Sequence, residues 1–316
     1  MDTLIELIKK GVSNPYRIPG YIKWKTGVDP WGKRGPIIKA REMRYKYANY
    51  PHQTTPIWEE EWDLLIILDA CRPDWMKEIE EEYNFISDIN TKHSVGSHSS
   101  EWISETFSDE YSQLLKDTLY VTGNHYASQI DESNLRKLVM AQDYGEWAYD
   151  SASPPANVVT DLAVQAARST DWERCIVHYM QPHKPFIKRK ESREEFLVKQ
   201  DSLGYEPYIR HFNGEISEEE LRLEFISNLK YVLEEVKLLL ENIDAPKVVI
   251  SSDHGQALGE DGLWDHTMRV KHPSMKQVPW IETSAVDEQT LSPDEYSLAE
   301  YDEETVKENL EMLGYR

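Results

Sequence analysis

Two cysteines in 316 residues are too few for a disulfide framework, and Cys71 and Cys175 form no Cys-x-x-Cys pair, so a zinc knuckle is unsupported as well. No apolar run approaches the roughly 18 residues that a membrane-crossing helix needs. Met1 to Lys10 spaces its apolar residues like a helix, but acids precede its lysines and no small-residue cleavage site follows, so it does not read as a secretory signal. These absences lead to the expectation of a soluble, cytoplasmic protein in a reducing interior. No internal repeat is present, which removes solenoid and propeller architectures. Positive charge is scarce: 35 Lys/Arg face 57 Asp/Glu, a formal net charge of −22. A body that acidic is repelled by nucleic acid, and no nucleic-acid recognition motif accompanies it. What is there is a globular composition, 40% hydrophobic and 11% aromatic, at a length that suits one large domain with extensions.

The charge is unevenly spread. Residues 1–57 carry 11 Lys/Arg against 4 Asp/Glu, or +7, which leaves −29 on the remainder. The chain therefore divides into a basic, aromatic-rich arm (1–57), a body (58–284) and an acidic C-terminal extension (285–316). Tyr21, Trp24, Trp31, Tyr45, Tyr47 and Tyr50 give the arm two possible roles. It makes peripheral contact with an anionic membrane, or it packs on its own acidic body; the large apolar area of these rings favours packing.

Through the body runs one α/β pattern. Strands are expected near 63–68, 119–123, 175–180 and 248–252, and helices from Pro73, over 102–107, over 156–167 and from Ser217 to Ile243. The last opens with the capping-box spacing of Ser217 and Glu220 and carries Leu221, Phe225, Leu229, Val232, Val236 and Leu239 on one face. Alternating strands and helices predict a doubly wound, largely parallel sheet flanked by helices. Residues 189–216 are charged and irregular and read as a mobile insertion or lid.

Two of the strands end alike. Leu64-Leu65-Ile66-Ile67-Leu68 runs into Asp69, and Val248-Val249-Ile250-Ser251-Ser252 runs into Asp253-His254-Gly255. Unalternated apolar runs are strands buried on both faces, and ligands of open α/β sheets bind where such strands emerge. Asp69, Asp253 and His254 are thus candidate metal ligands, with helix capping the other role open to each aspartate. Three nearby patterns fail at one position each. Gly27 to Arg34 has phosphate-loop spacing but Arg34 in place of the magnesium-binding hydroxyl, and no strand before it. A haloacid-dehalogenase aspartate needs a second aspartate where Cys71 stands, and the sulfatase Cys-x-Pro-x-Arg maturation motif has Trp75 at its arginine.

Taken together, Asp69, the Ser-rich loop 96–100, His178 to Phe186, Ser252 to Gly255, Gly259 to His266 and Val278-Pro279 resemble the alkaline phosphatase/sulfatase superfamily in order and spacing over residues 60–282. The resemblance implies that 58–284 is a catalytic domain in which Asp69 and the Asp253-His254 pair hold one divalent ion (Mn, Mg, Ca or Zn). The second-site Asp-x-x-x-His pair has no counterpart, since position 181 is Gln. It further implies a loop hydroxyl that attacks sulfur or phosphorus and also binds the metal: Ser99 first, with Ser97 and Ser100 as alternatives. His183 would contact the transferring group or protonate the leaving oxygen, and Arg72, His178 and His266 would bind substrate, His272 rivalling His266. His52, His125 and His211 are expected to be surface or loop residues. The implied activity is hydrolysis or transfer of a sulfate or phosphate ester, small or linked to a glycan or lipid; without the maturation motif, phosphate is favoured. A catalytically silent relative binding an anionic glycan or lipid head group is the other reading.

Overall fold

A computed structural model describes residues 34–50, 52–144, 153–189, 193 and 195–297. In chain order the strands are β1 (Leu64–Leu68), β2 (Asn90–His93), β3 (Thr118–Thr122), β4 (Lys137–Met140), β5 (Arg174–Tyr179), β6 (Ile187–Arg189), β7 (Phe196–Val198), β8 (Ala245–Ser251), β9 (Ala257–Leu258), β10 (Trp264–Asp265) and β11 (Gln277–Ala285). Seven of them build one sheet in the order β2-β11-β8-β1-β5-β3-β4. The five from β8 to β4 are parallel, while β11 runs antiparallel to both β8 and β2. The sheet is therefore largely parallel, as expected, with one reversed strand near an edge.

The packing of β1 shows why its run is continuously apolar. Leu64, Ile66 and Leu68 enter one core, with residues of α2 (Pro73–Ile79), α4 (Ala156–Ser169) and α5 (Glu218–Leu240). Leu65 and Ile67 enter the other, with Trp102 and Ile103 of α3 (Ser99–Thr106) and the Ile57–Trp62 segment. A strand with helices on both faces has no polar side to show. Pro73 opens α2 and the Ser217/Glu220 capping box opens α5, both as the sequence predicts.

Sequence pattern missed β2 and β4, because edge strands need no unbroken apolar run: β2 reads Asn-Thr-Lys-His and is largely exposed or half-buried. Residues 189–216 are not simply irregular. Hairpin β6–β7 and a helix over Glu206–Phe212 lie there, and the Arg193 guanidinium, largely buried, pairs with Asp161 at 2.8 Å and Glu235 at 2.7 Å. That ion-pair network ties the segment to α4 and α5, where the sequence suggested a lid. Of the arm, helix α1 (Gly35–Tyr47) packs on the body: Ile38 is buried, and Tyr45 bonds to Asp261. Tyr21, Trp24 and Trp31 lie outside the described residues, as do 298–316 of the acidic extension. The described part of that extension is held by Arg168, which bonds Asp287 and the Leu291 carbonyl.

Candidate active site

β1 and β8 are neighbours running in the same direction, so their carboxyl ends deliver Asp69 and Asp253 to one point on the sheet edge. Asp69, Asp253 and His254 are all buried, and each offers a ligand atom within 4.8 Å of the others. Ser99 joins them from the first residue of α3, its Oγ 3.2 Å from Asp69 Oδ2 and 3.2 Å from His254 Nε2. His98 caps that helix, its Nδ1 accepting the Ser100 N–H at 3.1 Å. Two glycines permit the approach. A Cβ at position 96 would stand 2.6 Å from the Trp102 nitrogen, and one at 255 would stand 2.3 Å from the Ser274 carbonyl.

The carboxylates are held by specific donors. Ala70 adopts a left-handed φ of 62°, a costly conformation for alanine, and its N–H reaches Asp253 Oδ1 at 3.1 Å. The His254 N–H bonds the same oxygen at 2.9 Å. Asn124 accepts the Tyr126 N–H on its Oδ1 (3.0 Å), an orientation that directs Nδ2 to Asp69 Oδ2 at 3.1 Å. Asp69 Oδ1, Asp253 Oδ2 and His178 Nε2 are buried and have no hydrogen-bond partner among the described residues. His254 donates Nδ1–H to the Gly255 carbonyl at 2.8 Å, so Nε2 keeps its lone pair, 3.3 Å from Asp253 Oδ2 and 3.7 Å from Asp69 Oδ1. Buried acceptors left unpaired are costly, and carboxylate, hydroxyl and imidazole donors converging on one point fit a divalent cation.

Electrostatics agree. Burial, and then the charge of Asp253, raises the Asp69 carboxyl well above the carboxylate range. Burial opposes ionisation of Asp253 too, but the neighbouring His254 and His178 draw it below its ordinary value. Burial lowers His254 and His178 to about 4, so both are neutral at pH 7. Without a cation the pair therefore favours the anion on Asp253 and a proton on Asp69, beside neutral imidazoles, and a divalent ion would take that proton's place.

Above this floor lies a cavity of about 140 Å³, lined by Asp69, Ser99, Asn124, His98, His125, Tyr126, Met180, His183 and His266. Asn228 of α5 positions the His183 loop, its Nδ2 donating to the Pro182 and His183 carbonyls at 3.1 and 2.9 Å. Lys184 Nζ lies 3.4 Å from His183 Nε2, so that nitrogen accepts and Nδ1, buried and unpartnered, carries the hydrogen. Burial and the Lys184 charge hold this imidazole well below its usual value. His98 is lowered to about 3 by burial and by His266 and His254.

Most of the expected residues converge, and some do not. Ser99, Asp69, His183 and His266 line the cavity, and Asp253 and His254 stand beside Asp69 and Ser99 beneath it. Arg72 does not: its guanidinium is occupied by Asp74 at 2.9 Å, by Glu260 and by the Gln256 carbonyl at 2.8 Å. His178 stands behind the floor, its Nε2 3.8 Å from Asp253 Oδ2 and its Nδ1 3.0 Å from the Tyr120 hydroxyl, out of reach of a ligand in the cavity. Ser97 is spent on Glu101 at 2.9 Å and the Thr267 carbonyl at 3.0 Å. His272 lies against Tyr45 and Asp261. His98, Asn124 and Tyr126 were not anticipated, and His125, read as a surface or loop residue, lines the cavity.

No protein-family model and no curated protein matches this chain. Solved structures do. The integral membrane protein lipooligosaccharide phosphoethanolamine transferase A (EptA) from Neisseria meningitidis superposes over 89% of this chain with a TM-score of 0.51 at 12% identity. This chain spans 59% of that protein's length. The C-terminal periplasmic domain of EptC from Escherichia coli, in complex with Zn, gives 0.47 at 12% identity over 74% of this chain and 75% of its own. A 2-O GAG sulfatase gives 0.42 at 15% over 71% and 64%. The expected cytoplasmic location is corrected by the first of these matches, an integral membrane protein; among the described residues no helix is long and apolar enough to cross a membrane. The largely parallel seven-stranded sheet flanked by helices is the alkaline phosphatase/sulfatase-like fold, shared with the transferase structure that superposes over 89% of this chain.

Proposed function

We propose that this chain is a metal-dependent transferase or hydrolase of a sulfate or phosphate ester, phosphate favoured, acting through a covalent intermediate on Ser99. The observation that carries the reading is the Ser99 hydroxyl, set 3.2 Å from both Asp69 and His254 beside two unpartnered carboxylate oxygens, at the floor of a cavity. Residues 58–284 are the catalytic body in this reading, with 1–57 and 285–316 as extensions.

Asp69, Asp253, His254 and Ser99 would hold one divalent ion. When bound, such an ion neutralises the carboxylate pair, lowers the pKa of the serine hydroxyl and polarises a non-bridging ester oxygen. Asp69 Oδ2 accepts the Ser99 hydroxyl proton and Asn124 keeps that oxygen in place. Attack by Ser99 Oγ then forms the new bond to phosphorus or sulfur as the bond to the leaving oxygen breaks, and that oxygen takes its proton from solvent water; water or a second alcohol then attacks the seryl ester, giving up its proton and releasing Ser99 Oγ, which is reprotonated from Asp69. His183, neutral with hydrogen on Nδ1, offers a donor to the transferring group rather than a proton to give away fully. Cys71 is no alternative nucleophile: it is buried, and burial pushes its thiol up.

The test is turnover of paired aryl sulfate, phosphate monoester and phosphodiester substrates with Mn, Mg, Ca and Zn supplied in turn, in the wild type and in Ser99→Ala. Turnover that needs a metal and vanishes in Ser99→Ala is expected. Anion binding without turnover in any combination would establish the silent binder instead; the complete ligand set counts against that outcome.

A further inference from the structure

The outward face of α1 is built differently from the rest of the surface. Pro36, Ala40, Met43 and Tyr47 recur at helical spacing as one stripe. All four are exposed, Met43 by 50% and Tyr47 by 81%, while Ile38 on the opposite side is buried. Ile37, 56% exposed, and Arg44 border the stripe on one side and Lys46 on the other. Residues 34–50 hold five Lys/Arg and one acid, in a protein whose residues 58–316 carry −29. An apolar stripe with a tyrosine at its end and cations along its margins fits the boundary of an anionic bilayer. Methionine and tyrosine enter below the head groups there while the cations stay with the phosphates.

The same helix is tied to the mouth of the cavity. Glu42 accepts the Thr267 hydroxyl at 2.9 Å, the Tyr45 ring meets His272 edge-on at 4.7 Å, and the Thr267 carbonyl accepts the Ser97 hydroxyl at 3.0 Å. His266, which lines the cavity, directly precedes Thr267. A surface that seats α1 therefore lies beside the site.

We infer that the outward face of α1 docks this protein on an anionic lipid surface, with the cavity mouth next to it. Nucleic acid, the other large polyanion, meets the −29 body and offers nothing to the Met43–Tyr47 stripe. Docking does not depend on the proposed reaction, and it is measured without turnover.

The experiment is flotation of the full chain with vesicles of phosphatidylcholine alone or mixed with phosphatidylglycerol, at low and high salt. Binding is expected only to the mixed vesicles and weaker at high salt. Met43→Glu/Tyr47→Glu and Arg44→Gln/Lys46→Gln should each lower partitioning about tenfold or more, since insertion and charge attraction contribute separately. Both changes lie at the surface, so circular dichroism and Tm should match the wild type; if the first variant misfolds, the second decides. Absence of binding, equal binding to neutral vesicles, or wild-type binding by the well-folded variants would overturn the inference. So would a doubled mass in solution that Met43→Glu/Tyr47→Glu abolishes without any vesicle binding, which would assign the face to a second copy of the chain.

Discussion

Asp69, Asp253 and His254 on the cavity floor and Asp265, His183 and His266 at its rim are alike in residue type, and each set brings its ligand atoms within 4.8 Å. Their surroundings are opposite. On the floor two carboxylate oxygens have no hydrogen-bond partner among the described residues. At the rim Asp265 Oδ1 accepts Lys184 Nζ at 3.0 Å, the Tyr208 hydroxyl at 3.1 Å and Gln256 Nε2 at 3.1 Å. Burial works against the Asp265 anion, yet Lys184 and His266 hold its carboxyl well below the carboxylate range, whereas Asp69 is raised well above it. A cation is therefore already built into the rim and missing from the protein's own groups on the floor. Residue types alone do not separate a cation site from an anion-facing one; the partners of each oxygen do. On the proposed reading the floor would take one divalent ion, while at the rim Lys184 is spent on Asp265 and the Nδ1–H of His183 would face the ester's charged oxygens.

The largest expected effect is on the floor. Ser99→Ala should lower turnover by about 10³-fold or more while the protein stays folded, because a lost nucleophile removes the chemical step and little packing. Asp253→Asn should lose activity and bound metal together, measured as metal per chain after dialysis. If Ser99→Ala retains activity and Ser97→Ala does not, the nucleophile lies two residues earlier than the geometry argues.

Next in size is the rim. Lys184→Met leaves Asp265 buried without its cation, which should cost about 3–5 kcal/mol in denaturant unfolding. The uncovered group should also bind a second equivalent of Zn in a titration where the wild type binds one. Unchanged stability and stoichiometry would mean that Lys184 is not what distinguishes the rim from the floor. A smaller effect belongs to Asn124→Leu, which frees Asp69 Oδ2 from its one amide donor. A fall of about 10- to 100-fold in metal affinity or turnover is expected, the range usual for groups that orient a ligand.

How far the sequence reveals this depends on range of interaction. Asp69, Asp253 and His254 are legible because the strands before them are buried on both faces, a local property of five or six residues. The α5 cap is legible for the same reason. Asn124 is not, since its amide is oriented by Tyr126 and aimed at a carboxylate 55 positions earlier. Nor is Asp265, whose left-handed φ of 65° and three donors are set by the packed loops around it. Arg72 looked like an anion ligand beside Asp69, but Glu260 and the Gln256 carbonyl, distant in sequence, claim its guanidinium. The cytoplasmic reading failed because two buried thiols in a large core carry no information about compartment.

His178 gives the smallest and most specific test of the floor. It is fully buried behind Asp253 with Nε2 unpartnered, and burial lowers it to about 4 from an ordinary 6.5. Between those values the unfolded chain takes up a proton that the folded protein refuses. The stability contributed by the neutral ring is therefore complete above pH 6.5 and is lost as pH falls toward 4. At pH 5 the loss should be about 1–2 kcal/mol, a few degrees in Tm. Asp69, with its raised carboxyl, titrates in the opposite sense, so the pH dependence of the wild type alone mixes both signs. Comparing metal-free wild type with metal-free His178→Gln isolates the ring together with its pull on Asp253, while the Asp69 carboxyl is retained by both. The wild-type Tm should fall more steeply than the variant's between pH 7 and pH 5. Parallel curves would mean that His178 takes up its proton in the folded state, and the floor would then possess a cation of its own, as the rim does.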